Sequence, residues 1–182
     1  MRQARAQASS NMLRVAALPA RELERLLVRG ETPDPDALAG WEFRGANNPA
    51  WARLAGIKKF MKGFYKDVDG RLWGYNMPVK QTRLSMPWEL KHPEKPNRFG
   101  FYRVEAVDPE SRDNAYLHAL LLDYGRGGNG LNPAGVLRDY LVRVERGSDD
   151  LLLGKAYVAV GPLRVPTSFF VLERQSPSEF RR

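Results

Sequence analysis

The residues with the clearest chemical content are Arg138-Asp139-Tyr140. An Arg and a Tyr two residues apart on a strand share a face. If that face is the inside of a barrel, a guanidinium beside a phenol hydroxyl is an anchor for a ligand carboxylate. A buried Arg must be paired, so the competing reading places Arg138 at a barrel mouth with an acid or water. The other candidates carry less. Gly125-Arg126-Gly127-Gly128-Asn129-Gly130 fits a dinucleotide fingerprint, but Leu131-Asn132-Pro133 follows where a helix should begin, so it reads as a hairpin loop. Asp67, Asp69 and Gly70 resemble part of a calcium loop but lack the later acidic ligands, and read as a turn. His118 is one of two histidines and reads as structural. Trp73, Tyr75, Phe99, Phe101 and Tyr102 alternate with Lys and Arg as on a base-stacking platform, a pattern that core strands also produce.

Composition narrows the chemistry further. The 182 residues contain no Cys, which removes disulfides, thiolate metal sites and a Cys nucleophile. Two His cannot form a multi-His metal cage, and no metal, cofactor or catalytic residue is expected. The net charge is +8, and twelve basic residues against four acidic ones lie in residues 50–103. They are spread over strands and loops, which reads as a solvated face rather than a phosphate track, so nucleic acid is not the expected partner. No apolar run is long enough for a membrane-spanning helix. The first twelve residues read as a flexible basic arm, although an Arg-, Ser- and Ala-rich start without acids also suits a transit peptide. The expected location is cytoplasmic.

The elements that must position these residues are mostly strands. A helix is expected over Ala20–Arg29, stopped by Gly30, and a short one over Ala50–Ala55 after Pro49. Eight strands follow the pattern of apolar and aromatic runs between Gly, Pro, Asn and Asp: 40–45, 57–66, 71–79, 98–107, 116–124, 136–146, 151–160 and 163–174. No helical pattern separates consecutive strands, so the expected fold is mainly β, an antiparallel up-and-down barrel filling residues 13–182 as one domain. A loop at Val68-Asp69-Gly70 sets Tyr65 opposite Trp73, Gly63 opposite Tyr75 and Met61 opposite Met77, leaving Lys62 on the other face. A turn at Gly147-Ser148-Asp149 sets Val144 opposite Leu152. One at Gly161-Pro162 sets Val158 opposite Val165, Ala156 opposite Thr167 and Gly154 opposite Phe169. The inward face then carries Arg138, Tyr140, Val142, Gly154, Ala156, Val158, Val165 and Phe169, and its small residues leave room for a cavity or for taper.

Gly40-Trp41, following a short helix and opening the first strand, with Arg174 near the end of the last, resembles the lipocalin and wider calycin barrels. The Arg-x-Tyr pair at Arg138 and Tyr140 resembles the carboxylate anchor of fatty-acid-binding barrels. These resemblances imply a barrel closed by a Trp41–Arg174 cation–π pair and holding a small hydrophobic or fatty-acid-like ligand. The candidate ligand-binding residues are Arg138, Tyr140, Trp73, Tyr75, Ala156, Val158, Val165 and Phe169. The alternatives are an enzyme using the same cavity, or a basic module for nucleic acid or an anionic membrane surface.

Overall fold

The structure is a computed structural model that describes residues 7–48 and 56–182; the helix expected over 50–55 lies outside the described residues. Eight antiparallel strands form a closed barrel in sequence order: β1 (Trp41–Asn47), β2 (Lys59–Lys66), β3 (Leu72–Pro78), β4 (Phe99–Ala106), β5 (Leu120–Asp123), β6 (Leu137–Arg143), β7 (Leu151–Val160) and β8 (Leu163–Pro177). β1 pairs with β8 to close it. Closure leaves no sheet edge unpaired.

Three helices precede the barrel. In α1 (Ser10–Ala16) the Ser9 side chain accepts from the Met12 amide, a conventional N-cap, and Met12 and Val15 are fully buried. Helix α1 therefore begins inside the expected arm, and Met12 packs in a buried apolar cluster. In α2 (Ala20–Arg29), Leu23 and Leu27, one turn apart, are buried against the outer wall, and Gly30 caps the end. In α3 (Pro35–Leu38), capped by Asp34, Leu38 is fully buried in the same cluster as Phe43, Phe64, Leu141 and Leu172. That cluster draws on every strand and is the barrel interior. α3 thus plugs the end where β1 begins.

The second apolar cluster is the outer wall. It contains Met12, Leu23 and Leu27 of the helices with Met61, Tyr65, Tyr75, Met77, Tyr140, Val142, Leu153 and Val171 of the strands. Helices, the 79–98 and 107–119 connections and the C-terminal tail cover this wall. Both faces of these strands are therefore buried, and alternation alone cannot say which face points in.

This is where the expected faces and registers depart from the structure. The β2–β3 register is as expected, with Tyr65 opposite Trp73, Gly63 opposite Tyr75 and Met61 opposite Met77. That face is the outer wall, however, and Lys62 points inward. On β6–β7 the expected pairing slips by one: Arg143 lies opposite Leu152, and Val144 donates to the Leu151 carbonyl. A bidentate Arg143–Asp149 ion pair, both contacts at 2.7 Å, spans the turn in this register. On β7–β8, Val158 is opposite Val165 as expected, but the register shifts between Ala156 and Tyr157. Thr167 is the extra residue, so Ala156 faces Ser168 and Gly154 faces Phe170. Phe170 therefore replaces Phe169 on the inner face.

The small inward residues do not open a cavity. A Cβ at Gly154 would lie 2.1 Å from the Phe170 ring, and one at Gly74 would lie 2.2 Å from the Tyr102 ring. Each glycine is the seat of an aromatic ring. The Trp41–Arg174 pair forms as expected, with the guanidinium 4.8 Å from the indole centroid. Arg174 also donates to Asp150 and to the carbonyl of Ala37 in α3, which ties the plug to the last strand.

Candidate functional site in the barrel interior

A polar group sits inside the apolar interior. β2 turns Phe60, Lys62 and Phe64 inward, and β6 turns Leu137, Asp139 and Leu141 inward. Lys62 and Asp139 are 3% exposed each. The Lys62 ammonium lies 3.2 Å from Asp139 Oδ2 and donates to Asn76 Oδ1 at 3.0 Å and to the Tyr124 hydroxyl. Tyr124 in turn donates to Asp139 Oδ2 at 3.0 Å. Asn76 is held by donating to the Gly100 carbonyl at 2.9 Å. All three ammonium protons thus have acceptors.

Aromatic rings enclose this ammonium. Its nitrogen is 4.7 Å from the Tyr102 centroid, 5.0 Å from Tyr124, 5.3 Å from Phe170 and 5.7 Å from Phe60. Ring faces attract a cation, and they replace part of its lost hydration. Burial still dominates the ionisation. It pulls the Lys62 ammonium below the ordinary lysine value, and the Asp139 carboxylate opposes that shift. It pushes Asp139 above the ordinary carboxylate value, opposed by Lys62 and by the Tyr124 hydrogen bond. Burial and the adjacent Asp139 charge also hold the Tyr102 and Tyr124 hydroxyls protonated well above their usual range.

One valence is left over. Asp139 Oδ1 is buried without a hydrogen-bond partner. A buried unpaired acceptor costs about 1–3 kcal/mol, and more if charged. Among the described residues no donor reaches it.

The expected ligand residues divide between the two faces. Ala156 belongs to the interior cluster. Val158, opposite the inward Leu137, and Val165, opposite Val158, lie on the same side toward the end away from α3. The other five are on the outer wall, which corrects the expectation that they line the interior. Arg138 pairs with Asp123 at 3.1 Å and Asp113 at 3.3 Å, so its charge is met by the barrel's own acids. The Tyr140 hydroxyl accepts from the Ala115 amide, and its ring packs edge-on against Tyr116 and Tyr157. Trp73 donates to Asp67, Tyr75 donates to Glu42, and Phe169 lies under the Lys155 ammonium. His118 contacts the Leu27 carbonyl, a structural role. Gly125–Gly130 lie in a loop opening with a single 3-10 turn (Tyr124–Arg126), as expected.

Lys62, Asp139, Tyr124 and Asn76 were not among the expected site residues. A signal for two of them was present: the β2–β3 register puts Lys62 on the face opposite Tyr65, and Asp139 lies between the two residues singled out. A groove of about 750 Å³ also lies beside Trp41 and Arg174, lined by Asn11, Glu145, Asp150 and Glu173. Its acids are already taken: Glu145 by Asn11, Asp150 by Arg174 and Glu173 by the Ser9 amide. The chain matches no protein-family model and no curated protein sequence. The closed eight-stranded antiparallel barrel with its Trp41–Arg174 closure is compatible with a lipocalin-like or calycin-like fold.

Proposed function

We propose that the barrel binds a small, mainly apolar molecule carrying one hydrogen-bond donor, such as a long-chain alcohol, at its end away from α3. The observation that carries this reading is the buried, unpartnered Oδ1 of Asp139. The ligand's donor reaches that oxygen, and its apolar part replaces contacts made by Phe60, Leu137 and Val158. These three are only half-buried and lie one inward position nearer the far end than Lys62 and Asp139, or close beside them. Apolar burial favours uptake by about 0.8 kcal/mol per methylene. A hydrogen bond to a charged acceptor adds about 1.5–3 kcal/mol.

This reading changes the expected headgroup. A ligand carboxylate would meet Asp139 at close range, and Arg138 is on the other face. An alcohol should therefore bind more tightly than the acid of the same chain length, by about tenfold or more given that hydrogen bond. Calorimetric titration with the matched alcohol and acid tests this, with Asp139→Asn as the second arm. Preference for the acid, or no binding of either, would overturn the reading. Chemical-shift changes confined to the outer wall would also overturn it.

A further inference from the structure

The two ends of the barrel differ in charge and in surface. At the α3 end, segments 30–40, 67–71, 144–150 and 178–182 carry nine acidic residues against four arginines. At the far end, connections 56–58, 79–98, 124–136 and 161–162 carry seven basic residues against Glu89 and Glu94; Arg98 turns back toward Glu42 and Arg126 pairs with Glu105 and Asp123, which leaves Lys58, Lys80, Arg83, Lys91 and Lys95 as the collar. The 107–119 connection folds back along the wall, where Asp113 reaches Arg138 and Arg164, and belongs to neither end.

Exposed apolar side chains follow the same division. Among the described residues, eight of the eleven large exposed ones lie at the far end; the α3 end presents Val68. Six of the eight form a rim from Phe99 through Leu131 and Val136 to Val160, Leu163 and Val165. Leu131 is fully exposed and Leu163 is 63% exposed. The rim is continuous in the fold: a Cβ at Gly100 would lie 3.3 Å from Ala134, Leu137 pairs with Val158, and Val160 with Leu163.

We infer that this end is a docking surface for an anionic lipid bilayer, entered rim first. Apolar tips projecting beyond a basic collar suit a headgroup layer, where the tips insert and the collar meets negative charge. The acidic opposite end orients the molecule by repulsion from the same surface. A phosphate backbone would use the collar but gives the apolar rim nothing to contact. Two copies meeting rim to rim would bring two basic ends together. The inference does not depend on the ligand proposed above.

The test is co-sedimentation of the full chain with phosphatidylcholine vesicles, with and without phosphatidylglycerol. Binding is expected only to the anionic vesicles and should fall with salt. Leu163→Asp, at an exposed hairpin tip, should weaken it about tenfold or more. Lys91→Glu with Lys95→Glu should weaken it similarly. Val68→Asp should leave it unchanged. Equal binding to neutral vesicles, no binding to anionic ones, or an equal loss with Val68→Asp would overturn the inference. So would a Leu163→Asp chain that still binds anionic vesicles as DNA-like polyanions are bound. A vesicle-independent dimer that Leu163→Asp dissolves would assign the rim to a second copy instead.

Discussion

Lys59 and Lys62 lie three residues apart on β2, and both are buried, yet they face opposite sides of the wall and do different work. Lys59, on the outside, donates to Thr82 and to the carbonyls of Met86 and Pro87, and its nitrogen is 4.0 Å from the Trp88 centroid. It gathers the 79–98 connection by offering one cation to several neutral oxygens. Burial lowers its pKa, with Glu89 opposing. Lys62, on the inside, meets a carboxylate, a phenol and an amide within an aromatic enclosure. The outer lysine has a loop that can open to water. The inner one has no such escape, and its partner keeps an oxygen unpaired. A buried lysine matched to neutral oxygens reads as structural. One held in a half-matched ion pair reads as a site.

The sharpest way to break this contrast is to truncate each lysine. Lys62→Met strands Asp139 and should cost about 3–5 kcal/mol, the range for breaking a buried ion pair. Adding Asp139→Leu should recover a large part of that loss, because a well-packed apolar pair no longer carries an uncompensated charge. Lys59→Met should cost less, about 1–3 kcal/mol, since the freed carbonyls can reach solvent. Denaturant titration measures all three, and faster amide exchange confined to residues 80–87 should mark Lys59→Met alone. Equal losses for the two lysines would remove the distinction.

The same contrast explains what could be read from the residues. The strand count, their order, the Ala20–Arg29 helix and the Trp41–Arg174 closure were legible, because apolar runs and turn residues mark strands and because the first and last strands of a closed barrel must meet. The β2–β3 pairs were legible from the Val68-Asp69-Gly70 loop. Their facing was not, since Met61, Tyr65 and Tyr75 are as apolar as Phe60 and Phe64 and are buried equally well by the helices and connections. For that reason the sequence pattern points Arg138 and Tyr140 inward, while Asp139 between them is the residue that points inside. The Thr167 bulge depends on pairing across β7 and β8, and no local pattern announces it.

The glycine seats sharpen the same division between inside and outside. Gly154→Ala pushes a methyl into Phe170, which forms one side of the Lys62 enclosure. Gly63→Ala pushes one into Tyr75 on the outer wall, 2.2 Å away. Overpacking costs about 1–3 kcal/mol in general. The inner substitution should fall at the upper end, because Phe170 is locked in the interior whereas Tyr75 borders the C-terminal tail at Phe180. Thermal melts of the two variants compare them directly, and a larger loss for Gly63→Ala would contradict this ordering.

A third lysine gives the smallest effect. Lys155 on β7 points outward, 2.6 Å from Glu24 of α2, and also donates to the Tyr116 hydroxyl. Burial pushes the Glu24 carboxyl up, but hydrogen bonds from Lys155 and Tyr116 overcome this and hold it below the ordinary value. Burial likewise depresses the Lys155 ammonium, and the Glu24 hydrogen bond reverses that shift and raises it. A lowered carboxyl stabilises the fold above its unfolded pKa, and that contribution is lost as pH falls through the folded value. A raised ammonium stabilises below its unfolded pKa, and that is lost as pH rises through the folded value. The pair should therefore help across the neutral range and fade at both extremes. Glu24 is partly solvated, so the help should stay below about 1 kcal/mol. Glu24→Gln should melt slightly lower than the parent chain at neutral pH, and the two curves should converge once acid has protonated Glu24 in both states. A difference that persists in acid would mean that α2 is held to β7 by Leu23 and Leu27 packing around Glu24, not by the charge.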